Sequence, residues 1–190
     1  PKEILVALSK KYNEPHRHYH NGGHIAICLR MAQRVESLFE RPNQAMLAIA
    51  LHDIVYEVTE EAYPHNEEDS AGYAASLIQR YGGSLELMKN VAALILATQH
   101  RQEPTENDAK LVVDIDLWCG LGQPYPKFIM NTQNIRQEFS HVPDAIFYEK
   151  NHGFLRTLLE RKHLFSTTYF QTHYEARART NLNRYLAQTH

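Results

Sequence analysis

The stretch of sequence that decides the fold is PNQAMLAIALHDIVYEV at residues 42–58. Its apolar residues recur at three- and four-residue spacing, which is the period of an α-helix. Pro42 suits the first turn of a helix, because the backbone N–H that proline lacks has no partner there. The stretch therefore predicts a helix that starts just after Pro42, runs through Val55 and carries His52 and Asp53 in its middle.

The same helical period covers almost the whole chain, and no convincing alternating strand pattern interrupts it, so we expect an all-α fold. A first helix should end near residues 13–15 and a second should begin around 21–23. Further helices are expected over 66–81, 84–98, 111–119, 126–140, 144–162 and 167–188. No internal repeat or long linker divides the sequence. We expect one domain over 1–190, with a core over about 15–122 and additional C-terminal helices over about 124–190.

The composition excludes several classes of protein. The 20 Lys and Arg residues against 22 Asp and Glu residues give a net charge of -2, which produces no broad field to attract nucleic acid or an anionic membrane. The longest apolar runs, 45–51 and 91–97, are far shorter than the roughly 20 residues that span a bilayer. Two scattered cysteines make neither a secreted disulfide framework nor a thiolate metal site. With a polar, lysine-bearing segment at 1–13 rather than a signal peptide, we expect a soluble cytoplasmic protein.

Histidine is the outlier, with twelve in 190 residues. On the predicted helix His52 has mostly apolar neighbours one turn away, and a hydrogen-bonded core histidine is the simplest interpretation of it alone. Asp53 changes that interpretation, because the residues one turn away from it include no cation and one like charge, Glu57. A carboxylate buried without a partner costs several kcal/mol. A divalent cation would satisfy both side chains.

Two aspartates in the segment 112–117 differ in their surroundings. Asp114 has Lys110 one turn before it and is expected to form a surface ion pair. Asp116 has only apolar residues, cysteine and glycine one turn away, so it is the better candidate for a metal ligand.

The first histidine ligand is chosen from His16, His18, His20 and His24. His24 opens the apolar stripe of the second predicted helix, whereas His20 precedes the turn at Gly22 and Gly23. We prefer His24 and keep His20 as its rival.

The order of these residues, a helix-borne His, an adjacent His-Asp pair and a distant Asp, resembles the HD superfamily of metal-dependent phosphohydrolases. The flanking segments are more specific: YNEPHRHYHN at 12–21, NEEDSA at 66–71, ATQH at 97–100 and DIDL at 114–117. They are similar to a subgroup of predicted HD phosphohydrolases whose physiological substrate is not established. The segments IRQEF at 135–139 and ARTNL at 178–182 extend this similarity over most of the chain.

The resemblance implies a helical bundle in which His24, His52, Asp53 and Asp116 hold one divalent metal. Nitrogen and carboxylate ligands suit Mn, Fe, Co, Ni, Zn or Mg, and ligand type does not decide among them. The implied reaction is hydrolysis of a phosphomonoester or phosphodiester by a metal-activated water. The implied partner is a nucleotide or another small phosphorylated metabolite.

Several further residues are candidates for the chemistry. Glu67 is the first choice for handling the proton of the water and Glu57 the second, while Asp53 counts as catalytic through the metal. Arg17 and His18 are candidates for phosphate binding because they are close in sequence to His24. His100 is open among a second-metal ligand, a phosphate contact and a loop residue. Arg136 is a more distant phosphate candidate.

Three other functions compete with hydrolysis. The first is a regulatory HD module that binds a nucleotide or phosphate with little turnover. The second is a di-iron oxygenase of the same superfamily, which needs two metals bridged by Asp53, and the third is a purely structural helical protein. The aromatic residues of the C-terminal helices are expected either to shape the pocket or to form a homodimer contact, and the sequence does not separate these.

Overall fold

The computed structural model describes residues 2–188, and over this range the chain forms helices and turns without a β-strand. The all-α prediction is confirmed. Single turns of 3-10 helix lie at Glu36–Leu38 and Tyr63–His65. None of the described helices combines the length and apolar character needed to cross a membrane. The α-helices are α1 (Lys2–Tyr12), α2 (Gly22–Arg34), α3 (Pro42–Leu51), α4 (Asn66–Arg80), α5 (Leu85–Ala97), α6 (Asn107–Leu121), α7 (Tyr125–Glu138), α8 (Asp144–Glu160) and α9 (Thr168–Leu186).

Helix α6 is the centre of the bundle. It contacts α2, α3 and α5 on one side and α7 and α9 on the other. Its side chains are therefore buried around most of the helix, with Leu111, Val112 and Ile115 almost fully removed from water. Burial of this apolar surface is the main favourable contribution to folding. It also means that any carboxylate on α6 must find a partner inside the protein.

The prediction that His52 and Asp53 lie in mid-helix is wrong, because α3 ends at Leu51 and the two residues form the turn that follows. The guanidinium of Arg17 donates to the carbonyl oxygens of Asp53 at 2.6 Å and Ile54 at 3.1 Å. These carbonyls are therefore paired with a side chain rather than with a continuing helix. A partner 36 residues away in sequence ends the helix at the site.

Asn66 was expected to cap α4, but it is the first residue of that helix and His65 occupies the cap position. The Asn66 amide instead donates to the carbonyl of Glu57 and accepts from the backbone N–H of Glu57, both at 2.9 Å. It thereby fixes the loop after Asp53 to α4. The predicted start of α5 is confirmed, since the Ser84 hydroxyl accepts from Leu87 N–H.

The expected surface ion pair of Asp114 with Lys110 is also wrong. Asp114 is fully buried, and its carboxylate accepts from the N–H groups of Ser166 and Thr167 and from the Thr167 hydroxyl. Thr167 is the residue before α9, so the contact joins α9 to α6. Burial raises the pKa of Asp114 to about 6, although these three hydrogen bonds act to lower it. Sequence neighbours within α6 gave no sign that another helix covers this face.

Replacing Asp114 by Ala should therefore lower the free energy of unfolding by about 2 to 4 kcal/mol, because two backbone N–H groups lose their charged acceptor. Urea unfolding followed by circular dichroism measures the change. Asp69→Ala on the exposed face of α4 is the control and should change stability by less than about 0.5 kcal/mol. Equal stability of the two variants would contradict the anchoring role of Asp114.

Candidate metal centre

Four side chains from three parts of the fold converge on one point. His24 comes from the first turn of α2, His52 and Asp53 from the turn after α3, and Asp116 from α6. The Nε2 atoms of His24 and His52 are 3.2 Å apart, and both lie within 3.6 Å of Asp53 Oδ2 and Asp116 Oδ1. A cation about 2.0–2.2 Å from nitrogen and oxygen ligands separates neighbouring ligand atoms by about 3.0–3.5 Å. The spacing of these four atoms fits such an ion.

The hydrogen bonds of His52 fix the form of its ring. Its Nδ1 lies 2.9 Å from the carbonyl oxygen of Ile49, which can only accept, so Nδ1 carries the proton. In the neutral ring the Nε2 atom then has a free lone pair directed at the convergence point. Histidine ligands to metals are usually oriented by such a bond on the other ring nitrogen.

Asp53 supplies the most telling atom of the site. Its Oδ2 is buried and has no hydrogen-bond partner, although it lies 3.1 Å from His52 Nε2 and 3.4 Å from His24 Nε2. Burial would raise the pKa of this carboxyl, but His52, followed by His20 and His24, holds it below its usual range. Asp53 is therefore an ionised carboxylate whose inner oxygen lacks a donor. The residues present fit a divalent cation at this position.

His100 holds the second oxygen of Asp116. Its Nε2 donates to Asp116 Oδ2 at 3.1 Å, which leaves Oδ1 facing the two histidines. The backbone of His100 adopts the left-handed conformation with φ of 57°, which is uncommon for a residue with a side chain. Its carbonyl oxygen accepts from Arg161 at 2.9 Å. The structure thus places His100 beside Asp116 at the end of the site.

Cys28 and Cys119 are not scattered in the fold, contrary to the sequence analysis. Cys28 Sγ lies 3.8 Å from His24 Nε2, and the two sulfurs with His24 form a second group that could hold a metal ion. The hydrogen bond from Cys28, and then the charge of His24, lower the pKa of Cys119 to about 5 against the effect of burial. Burial alone would lower the pKa of His24, but Cys119, Asp116 and Asp53 raise it to about 10. The surroundings of His24 thus attract positive charge.

His20, the rival of His24, is bound elsewhere. Its Nδ1 donates to Glu138 Oε2 at 2.7 Å, and its ring stacks on Tyr56 with centroids 4.2 Å apart. The other oxygen of Glu138 accepts the backbone N–H groups of residues 18, 19 and 20 at 2.7–2.9 Å. The geometry therefore favours His24 over His20 at the convergence point. Sequence reasoning did not single out Glu138, which is 118 residues away from His20.

A cavity of about 220 Å³ opens beside the four converging residues. His52, Asp53 and Asp116 line one end of it, together with His20, Glu67 and His100. Burial, with added repulsion from Asp53, raises the pKa of Glu67. Glu57 is exposed and is not part of the lining. Of the two glutamates considered for proton transfer, only Glu67 reaches the cavity.

The structure does not bring the predicted phosphate-binding residues to this cavity. Arg17 is buried and donates to Glu14 and to the carbonyls of His20, Asp53 and Ile54. His18 and Arg17 are both outside the lining. Arg136 is also outside it, and donates to Asp144 and to the carbonyls of residues 139 and 142. Arg17 instead holds the turn that carries Asp53.

Comparison with known proteins gives one match. The sequence model of the HD domain matches residues 18–121, which is more than half of the chain and includes all four converging residues. No curated protein and no solved structure matches the chain. Members of the HD family are generally hydrolases and bind divalent metals. The chain belongs to the HD domain family.

Proposed function

We propose that this HD protein hydrolyses small phosphate esters with a divalent cation held by His24, His52, Asp53 and Asp116. The observation that carries the proposal is the buried Asp53 Oδ2, which faces two imidazole nitrogens and has no hydrogen-bond donor. A cation would compensate this carboxylate and leave positions for water and a phosphate oxygen. The nitrogen and carboxylate ligand set suits Mn, Fe, Co, Ni, Zn or Mg.

Groups around the four residues orient them for this role. The Ile49 carbonyl fixes the ring of His52, His100 holds the outer oxygen of Asp116, and Arg17 holds the backbone carbonyl of Asp53. Such outer contacts reduce the reorganisation that binding a cation would otherwise require. They support a site that is formed before the cation arrives.

The cation, when bound, would lower the pKa of a water and neutralise charge on the phosphoryl group. Glu67 lies in the cavity wall at the same end, and its raised pKa makes its carboxylate a better base than an exposed glutamate. We assign to a carboxylate oxygen of Glu67 the proton of the attacking water. Asp53 contributes to catalysis as a ligand, because its lowered pKa makes it a weak base.

A di-iron oxygenase has less support. The two candidate metal groups among the described residues share His24, so they do not form two independent sites. His65 is exposed and bonded to Glu68, and His100 is bonded to Asp116. These contacts favour one metal with His100 beside it.

The choice of His24 over His20 predicts a difference in metal content. His24→Ala and Asp53→Ala should weaken cation binding by more than about 100-fold, since even groups that only orient ligands contribute about 10- to 100-fold. His20→Ala should retain the cation. Metal analysis after dialysis against buffered Mn²⁺ measures the three variants, with circular dichroism as a check on folding. Loss of metal in His20→Ala to the same degree would contradict this assignment.

The role of Glu67 predicts a difference in turnover. With p-nitrophenyl phosphate and bis-p-nitrophenyl phosphate as probes, Glu67→Gln should lower kcat by about 100-fold or more while metal content stays unchanged. Glu57→Gln, the matched control, should behave like the wild type. Equal activity of the two variants would exclude Glu67 as the base. If the metal-loaded wild-type protein hydrolyses neither probe nor any other ester in a metabolite screen, the hydrolase proposal is wrong.

A further inference from the structure

The cavity has a second end that the proposed chemistry does not use. Away from the metal-binding end, its wall consists largely of apolar side chains from α6, α7 and α8. They include Leu117, Phe128, Ile135, Phe154, Leu155 and Leu158. Helices α7 and α8 lie beyond residues 18–121, the part that matches the HD family. This chain therefore adds an apolar chamber to the shared ligand set.

The polar side chains in this end are mostly paired with the protein. Asn131 donates to the Cys119 carbonyl at 3.0 Å, and Thr132 donates to the Ile129 carbonyl at 2.8 Å. Among the described residues of the wall, Asn151 Oδ1 is buried without a hydrogen-bond partner. The chamber thus presents apolar surface with a single unpaired acceptor.

Positive charge is absent from the described lining of the cavity, which contains neither lysine nor arginine. Protein sites that recognise phosphate through side chains normally use these residues. A second phosphate or a carboxylate in the chamber would be desolvated without a counter-charge, which is costly. The volume of about 220 Å³ is also below the range of about 300–1,000 Å³ typical of drug-sized ligands. Both features disfavour a nucleoside triphosphate or a sugar bisphosphate.

We infer that the substrate is a monophosphate ester of a small, mostly apolar alcohol or phenol, with the phosphate at the metal end and the organic group in the chamber. The inference rests on the proposed function for the position of the phosphate. The apolar wall then supplies affinity in proportion to the number of carbons that it removes from water. Asn151 Oδ1 can accept one hydrogen bond from a hydroxyl or amine on that group.

Binding of alkylphosphonates tests this inference without requiring turnover, because their carbon–phosphorus bond is not hydrolysed as an ester. Isothermal titration of Mn²⁺-loaded protein with methyl-, propyl-, butyl- and hexylphosphonate should show affinity rising about fourfold for each added methylene until the chamber is filled. The compound 3-phosphonopropionate, which places a carboxylate in the chamber, should bind about tenfold or more weakly than butylphosphonate.

Substitutions at the chamber wall locate the effect. Phe154→Asn and Ile135→Asn should reduce the dependence on chain length and leave the affinity for methylphosphonate and the metal content unchanged. Ile146→Asn is the matched control, since Ile146 and Phe154 lie on α8 with similar exposure of 45% and 44%, and Ile146 is outside the cavity lining. It should retain the wild-type dependence.

An affinity that does not rise with chain length, including no binding of any alkylphosphonate, overturns the inference. Equal effects of Ile146→Asn and Phe154→Asn overturn it as well. These results are distinguishable from failure of the proposed function. A protein that shows the chain-length dependence but hydrolyses no phosphate ester would support the chamber and contradict the hydrolase proposal.

Discussion

The Oδ2 atom of Asp53 is buried between the Nε2 atoms of His24 and His52, and the structure gives it no hydrogen-bond donor. Removing a carboxylate from water without a partner is among the most costly arrangements in a protein interior. A bundle whose central helix is almost fully buried would ordinarily avoid it. The surrounding contacts preserve it, since Arg17 holds the Asp53 carbonyl and His100 holds the facing aspartate, Asp116. A divalent cation supplies the missing charge.

Helix α6 shows how two carboxylates of the same helix acquire different roles. Asp114 is satisfied by two backbone N–H groups and a hydroxyl at the start of α9, so it anchors that helix. Asp116 faces His24, His52 and His100, so it belongs to the metal centre. Glu138 makes a corresponding link between α7 and the N-terminal loop. The C-terminal helices are therefore joined to the family-matched region by buried carboxylates as well as by apolar packing.

The fold class followed from the sequence because helical periodicity is a local property, and most helix positions were predicted from it. The grouping of Asp116 with the His-Asp pair was also accessible, because unpaired carboxylates on apolar faces indicate a missing partner. Features set by distant residues were not accessible. Arg17 ends α3 from 36 residues away, α9 covers Asp114, and Glu138 binds His20 across 118 residues. The pairing of Cys28 with Cys119 depends on the contact between α2 and α6. One signal was available, since Cys28 lies one helical turn after His24.

The central claim is that one divalent cation is bound by two imidazole nitrogens and two carboxylate oxygens. Anomalous diffraction from crystals of the Mn²⁺-loaded protein tests it most directly. The account predicts a single peak about 2.0–2.3 Å from His24 Nε2, His52 Nε2, Asp53 Oδ2 and Asp116 Oδ1. A peak between His24, Cys28 and Cys119, or two peaks bridged by Asp53, would contradict it.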